Sequence, residues 1–342
     1  MSAQALEALL LPFEEGQLRA PENGRGCLIR AEPCAALSGA WRDRVICEQT
    51  SKPEVDRLVA AGCQVVQRLS GSFDVGLCLL TKHKSESLAN IARAWTLLEP
   101  GGVLVCSGAK NLGAAGVEKK VREAFGVEGS LAKFHCRVFW TTKPAAAPPP
   151  PLEWLELDEL RPNVEETFLT RPGIFGWDSV DAGSRLLAEN LPEDISGKVA
   201  DLGAGWGYLS IRLLERFAAI QTVDLFEAEL LALDAARANL AARGLESRAD
   251  FCWHDVTAGL PGKRGHDWVV MNPPFHSGRE ADVRLGCAFI TAAARALRPD
   301  GRLVMVANRH LPYEGHLERS FALSRILTGA GGFKILTAEQ PR

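Results

Sequence analysis

The stretch Lys198-Val199-Ala200-Asp201-Leu202-Gly203-Ala204-Gly205-Trp206-Gly207 reads as a short apolar strand that runs into a glycine loop and then opens a helix. Glycines let a backbone turn tightly and approach a ligand closely. In the dinucleotide fingerprint G-x-G-x-x-G the third glycine would fall at Tyr208. Here it falls at Gly207, which makes the spacing G-x-G-x-G. Downstream the alternation continues: a helix over 208–217, a strand over 220–226, an Ala/Leu-rich helix over 229–243, and strands over 250–253 and 267–271. A helix over 280–297 then leads to strands over 302–307 and 333–338. Strands alternating with helices predict a doubly wound, mostly parallel sheet.

At the end of the fourth of these strands stands Asn272-Pro273-Pro274-Phe275, after the apolar run Trp268-Val269-Val270-Met271. In open α/β sheets ligands bind at the carboxyl edge of the strands. Two prolines fix φ and remove two N–H donors, so the turn is stiff. The Asn272 side chain and the Pro273 carbonyl offer two acceptors for one planar –NH2 group, and Phe275 offers a ring to stack on its carrier. Asn272, Pro273, Pro274 and Phe275 are therefore the expected catalytic residues, arranged for methylation of an exocyclic amine. Such an amine lacks a free lone pair. Accepting both its N–H bonds favours a pyramidal nitrogen, which is orientation plus electrostatic stabilisation.

Residues 1–143 show the same alternation, with strands expected over 26–29, 44–47, 65–66, 75–80 and 103–106 and helices over 54–61, 87–98 and 117–125. Residues 97–105 (LLEPGGVLV) match residues 296–304 (ALRPDGRLV), an offset of 296 − 97 = 199, and Phe73-Asp74-Val75 corresponds to His266-Asp267-Trp268. Such a repeat implies two related domains. The first lacks the G-x-G-x-G loop and carries Leu79-Leu80-Thr81-Lys82 where the second has the Asn-Pro-Pro-Phe turn. Between them lies a proline- and alanine-rich run, with four consecutive prolines at 148–151. It is expected to be an extended spacer. The division is thus 1–143, a degenerate domain; 144–151, a linker; and 152–342, the catalytic domain.

Composition sets the class. The 342 residues are 46% hydrophobic and 24% charged, with a net charge of −3. That is the balance of a soluble globular chain, not of a globally basic nucleic-acid coat. The start turns acidic at once and lacks a secretory n-region, and no apolar run approaches the ~20 residues of a membrane span. A cytoplasmic location with no membrane association is expected. Nine cysteines are scattered without a C-x-x-C or zinc spacing, so reduced thiols and no metal site are expected.

Taken with the acid that precedes it, Asp201, the loop Gly203-Ala204-Gly205-x-Gly207 looks like the S-adenosylmethionine loop of Rossmann-like methyltransferases. An acid ending the second strand should take the ribose hydroxyls: Glu227 by counting from Asn239 in the following helix, with Asp224 as the other candidate. Asp255, ending the third strand, is expected to accept the adenine amino group.

These residues resemble the ribosomal RNA small subunit methyltransferase C family and its large-subunit guanine-N2 sister. The likeness is carried by Pro172-Gly173-Ile174-Phe175, Asp181-x-Gly183-Ser184-x-Leu186-Leu187, the glycine loop, Asn272-Pro273-Pro274-Phe275-His276, and Val306-Ala307-Asn308 to Leu311-Pro312-Tyr313. It implies two tandem Rossmann-like (class I) methyltransferase domains, the first degenerate and without cofactor. It also implies that Phe175, Asp181 and Gly183 help close the cofactor pocket, and that Asn272 borders it. The implied activity is methylation of guanine N2 in 16S rRNA of the small subunit or its assembly intermediate. A monomer is expected. Asn308-Arg309-His310-Leu311 is more similar to the large-subunit sister. Asn-Pro-Pro-aromatic turns also serve adenine-N6, cytosine-N4 and protein glutamine-N5 methyltransferases. A non-catalytic RNA-binding assembly protein is the reading from another class, and a nicotinamide oxidoreductase is disfavoured by the glycine spacing. RNA phosphates need basic partners. The candidates are Lys82, Lys84, Lys110, Lys119, Lys120 and Arg122 in the first domain, with Arg279, Arg284, Arg309 and His310 near the turn.

Overall fold

Strands rich in Val, Ile, Leu and Cys with no polar alternation are those of a sheet covered on both faces. Both halves build such a sheet in the computed structural model, which describes residues 2–19, 24–33, 37, 40–165, 167–262, 265–274, 276–277, 280–281 and 283–342. The chain divides into two compact units, Met1–Leu160 with Arg171–Gly173, and Arg161–Thr170 with Ile174–Arg342.

The strands of the first unit are β1 (Gly26–Ile29), β2 (Val45–Glu48), β3 (Gln64–Val66), β4 (Phe73–Leu79), β5 (Leu98–Ala109), β6 (Gly129–Lys133) and β7 (Cys136–Thr142). They lie in the order β3-β2-β1-β4-β5-β7-β6. Pairing is parallel from β3 to β5 and antiparallel around β7. Its longer helices are α1 (Ser2–Glu14), α2 (Lys52–Ala60), α3 (Lys84–Leu97) and α4 (Ala114–Phe125). Successive strand residues enter opposite cores. Leu28, Val75, Leu77 and Val105 pack with Leu6, Leu9 and Leu10 of α1, while Cys27, Ile29, Cys78 and Leu104 pack with Ile91 and Trp95 of α3. Each such apolar side chain contributes roughly 1.5–3 kcal/mol by leaving water. The buried thiols are inert ones, with Cys27 and Cys47 pushed up to about 12 by burial.

The proline run does not stand between the units. Trp95 Nε1 donates to the Pro148 carbonyl at 3.1 Å, and Lys143 Nζ donates to the carbonyls of Trp95 (2.9 Å) and Leu98 (2.6 Å). Trp154 is buried edge-on against Phe125. Beyond it Asp158 is held by Arg68, Arg93 and Arg171. Residues 144–160 thus belong to the first unit, and the division falls after Leu160 instead of at 144–151. Prolines lack donors, but their carbonyls still accept, and the flanking tryptophans supply the apolar contact.

The second unit contains α5 (Ala182–Glu189), β8 (Gly197–Leu202), α6 (Tyr208–Arg216), β9 (Ile220–Glu227), α7 (Leu230–Ala241), β10 (Ala249–Trp253) and β11 (His266–Met271). After these come α8 (Val283–Ala296), β12 (Leu297–Asn308), β13 (Phe321–Thr328) and β14 (Phe333–Pro341). Their order, β10-β9-β8-β11-β12-β14-β13, repeats that of the first unit strand for strand. The repeat extends to irregularities. The register slips between Phe73 and Val75 against β5, and between His266 and Trp268 against β12. In each unit the Asp at that slip accepts from the backbone N–H that leads into the first strand: Asp74 from Arg25 (2.8 Å) and Asp267 from Lys198 (2.7 Å). The sequence reading omits α1, α5, β6, β7 and β13.

Strand order reverses between β8 and β11, the neighbours that send the chain to opposite sides of the sheet. Loops leaving the carboxyl ends of such a pair diverge and open a crevice. The loops at this crevice are Gly203–Gly207 and Asn272–Pro274, since Leu202 pairs with Met271 in register.

Candidate active site

Three left-handed glycines shape the loop after β8: Gly203 (φ 75°), Gly205 (φ 57°) and Gly207 (φ 89°). A Cβ on Gly207 would stand 3.0 Å from Leu240 Cδ1 and 3.1 Å from Ala236 Cβ, both on the packed face of α7. Gly207→Ala is therefore expected to cost about 1–3 kcal/mol of stability through strain and crowding together. A urea titration with a lowered midpoint and unchanged slope is the check.

Asp201, fully buried in β8, lies under this loop. Its Oδ2 accepts from Ser210 Oγ at 2.7 Å, and its Oδ1 has no partner among the described residues. Burial pushes its carboxyl up to about 7, with the Ser210 hydrogen bond opposing and the nearby Glu227 adding to the rise. The sign of the pH effect follows. A raised carboxyl favours the fold while protonated, and the penalty grows as pH climbs from about 3.8 to about 7. Across that window it amounts to about 4 kcal/mol. Asp201→Asn is expected to flatten this part of the stability–pH profile of the ligand-free protein, as measured by denaturation at pH 5 and pH 8.

Glu227 ends β9. Its Oε2 accepts from Gly205 N at 2.7 Å and its Oε1 from Glu229 N at 2.8 Å, so the carboxylate ties the glycine loop to the start of α7. Burial raises its pKa, and those backbone N–H groups oppose the rise. Asp224, the other candidate for this role, faces His266 instead, with Oδ2 2.8 Å from Nε2. Asp255 caps its own turn, accepting from Thr257 N (2.9 Å) and Thr257 Oγ1 (2.7 Å) on Oδ1.

Asn272 stands at the end of β11, across the crevice from the loop. Its Nδ2 donates to Asp181 Oδ2 at 2.9 Å and to Ser184 Oγ at 2.8 Å. Asp181 caps α5 through the same oxygen, which accepts from Ser184 N at 2.8 Å. Of the two prolines that follow, Pro273 is buried and Pro274 exposed. Phe275, the expected stacking residue, lies outside the described residues, as does Arg279.

An open cleft lies between these parts, lined by Phe175, Asp181, Ser184, Gly203, Ala204, Gly205 and Asn272 among others. Phe175 is 61% exposed at its edge. Gly183 contributes by having no side chain, since a Cβ there would lie 3.0 Å from both Asp181 Oδ2 and a Phe333 ring carbon. The structure brings Phe175, Asp181, Gly183, the loop, Glu227 and Asn272 together, and leaves Asp255 capping a turn beyond the cleft lining. Sequence reading assigned no role to Ser184, Ser210 or Asn239. Asn239 accepts from Leu169 N (2.7 Å) and donates to Leu169 O (2.8 Å) and Trp206 O (3.1 Å), clasping the loop from behind. Ser184 stands in plain view within Asp-x-Gly-Ser, and Asn239 serves above only as a landmark for counting; Ser210 carries no local signal.

The cleft suits S-adenosylmethionine. The glycine at 205 leaves open space where a Cβ would stand, Glu227 offers carboxylate oxygens at the carboxyl end of β9, and Asp201 Oδ1 is an unsatisfied buried acceptor. When bound, this sulfonium supplies an electrophilic methyl group.

The first unit shows the same place closed. Ile29 pairs with Glu48 and Cys78 as Leu202 pairs with Phe226 and Met271, so Arg30, Gln49 and Leu79 stand where Gly203, Glu227 and Asn272 do. Arg30 keeps the left-handed backbone (φ 59°) but sends its guanidinium to Glu86 (3.1 Å) and Thr50 (2.8 Å). Gln49 repeats the Glu227 bond, accepting on Oε1 from the N–H two residues on, at Ser51 (2.9 Å). Its other arm is reversed: Nε2 donates to Ala31 O at 2.7 Å where Glu227 accepts. An amide thus stands where the second unit has the Glu227 carboxylate.

Comparison with known proteins agrees with this geometry. The family model for the methyltransferase small domain matches residues 165–337. The ribosomal RNA small subunit methyltransferase C of Psychromonas ingrahamii is 29% identical over 290 residues, 82% of this chain and 81% of that protein. The ribosomal RNA large subunit methyltransferase G of Shewanella amazonensis is 36% identical over 166 residues, 48% of this chain and 43% of that protein. Among solved structures, the T. thermophilus 16S rRNA N2 G1207 methyltransferase, in complex with AdoMet and guanosine, superposes with a TM-score of 0.80 at 28% identity, over 98% of this chain and 91% of that one. The chain belongs to the methyltransferase small domain family and, within it, to the ribosomal RNA small subunit methyltransferase C group.

Proposed function

We propose that the chain transfers a methyl group from S-adenosylmethionine to the exocyclic N2 amine of a guanine in 16S rRNA. The observation that carries this reading is the Asn-Pro-Pro turn set at the reversal of strand order, across one cleft from the glycine loop, in a chain that shares its fold along 98% of its length with a 16S guanine-N2 enzyme. Asn272 Oδ1 and the Pro273 carbonyl accept the two N–H bonds of the amine. The nitrogen lone pair forms the N–C bond as the C–S bond breaks, and the positive charge on nitrogen is stabilised by those two acceptors until a proton leaves to water. Phe275 stacks on the base, which must first leave its helix.

The first unit serves as an RNA-positioning module without cofactor. Lys82, Lys84, Lys110 and Lys119 are exposed for this. Arg122 is a poorer candidate, since it is committed to Glu118 at 2.8 Å, and Lys120 lies 4.0 Å from Glu123. Arg309 and His310 are exposed after β12. The protein works as a cytoplasmic monomer without metal. No helix among the described residues is long and apolar enough to cross a membrane.

The test is labelled methyl transfer to unmethylated 30S and 50S subunits and to their naked rRNAs, with product nucleosides identified by mass spectrometry. N2-methylguanosine in 16S rRNA is the expected product. The same nucleoside found only in 23S rRNA moves the target to the large subunit, and no labelled nucleoside in any RNA overturns the reading.

A further inference from the structure

Asn272 can serve an amine only if its carbonyl oxygen, and not its –NH2, faces the cleft. A carboxamide is nearly symmetrical in shape, so something must choose between the two orientations. Here both Nδ2 hydrogens are taken, one by Asp181 Oδ2 and one by Ser184 Oγ. Turning the amide over would set Oδ1 about 2.9 Å from an oxygen that can only accept, and strand the –NH2 group. We propose that Asp181 and Ser184 are positioning residues that fix which end of the Asn272 amide meets the substrate, making the site one for hydrogen-bond donors. This rests on the amine-methylation reading above.

The supporting geometry is stiff on both sides. Asp181 is itself oriented by Ser184 N, at the start of α5. Gly183 leaves the carboxylate the room it occupies. On the other side, two consecutive prolines follow Asn272 and limit its backbone. The Asp-x-Gly-Ser stretch is thus a cradle for a residue 91 positions away.

Asp181→Ser separates this role from helix capping, because serine is as good a cap but too short to reach Asn272. Asp181→Asn keeps an acceptor for both bonds and is the rescue variant. The expected result for Asp181→Ser is a fall in kcat of about 10²-fold, with KM for RNA and Kd for S-adenosylmethionine changed less than about threefold. Asp181→Asn should recover most of the rate. On an Asn272→Ala background Asp181→Ser should cost nothing further, because the two act as one unit. Wild-type kcat in Asp181→Ser, a full additional loss on the Asn272→Ala background, or a Kd that weakens in step with kcat would each overturn the proposal. The last would mean that Asp181 binds the cofactor directly. A wild-type protein that methylates no RNA amine would defeat the underlying function instead. The cradle is still read then by NMR of the Asn272 side-chain amide, whose protons should exchange slowly in the wild type and rapidly in Asp181→Ser. Equal exchange in both would overturn it.

Discussion

Asn272→Ala is expected to lower the rate of methyl transfer by about 10²–10³-fold, the usual cost of deleting one preorganised group aimed at a developing charge. The charge in this case is positive and builds on the amine nitrogen as its lone pair is used. The proposed bond to Asn272 Oδ1 would therefore strengthen along the reaction, and its loss should appear in kcat. Affinity for S-adenosylmethionine should change by less than about threefold, since the proposed cofactor contacts are the loop and Glu227. Removing Asn272 also leaves Asp181 Oδ2 with only the Ser184 N–H, a modest loss at a partly exposed site. Single-turnover rates beside calorimetric binding decide the matter. Equal losses in both would take Asn272 out of the chemistry.

Glu227→Gln is expected to weaken S-adenosylmethionine binding by about 10- to 100-fold while leaving the protein folded. A hydrogen bond to a charged group is worth roughly 1.5–3 kcal/mol, and a carboxylate offers acceptors on both oxygens where an amide offers one. In the present arrangement one oxygen is engaged by Glu229 N, the other by Gly205 N. The amide nitrogen would face a second donor at Gly205 or swing away from it. The first unit shows a glutamine accommodated at the equivalent position, where Gln49 is buried with both its amide oxygen and its amide nitrogen hydrogen-bonded. Retained thermal stability with weakened binding is the expected pair of results. Undiminished binding would return the ribose role to Asp224, despite its bond to His266.

Much of this was readable in the chain because it is local. The 199-residue offset becomes two strands of identical length, Leu98–Ala109 and Leu297–Asn308, with the same slip in the strand beside each. The G-x-G-x-G spacing needs only left-handed glycines in succession, which all three are. What escaped depends on partners far along the chain. The proline run looked like a free spacer because nothing near it announces that Trp95 reaches the Pro148 carbonyl. Counting along α7 could rank Glu227 above Asp224, but only the fold shows the latter meeting His266. The hairpin strands β6 and β7 went unseen because Phe134 and His135, in left-handed conformations (φ 50° and 58°), form the turn that joins them, where glycine or asparagine would have signalled it.

The closed site of the first unit works as a ratchet. Arg30→Gly alone would reopen the loop but leave the buried Glu86 carboxylate without that guanidinium. Gln49→Glu alone would press a carboxylate oxygen against the Ala31 carbonyl, acceptor against acceptor. Each reversal taken singly costs stability and yields no ligand. Regaining a cofactor would take both changes at once, and regaining the chemistry would take the amine-holding turn besides. The two units are held to different trades: one is free to be judged by how well it folds and what it touches, the other by what it transfers.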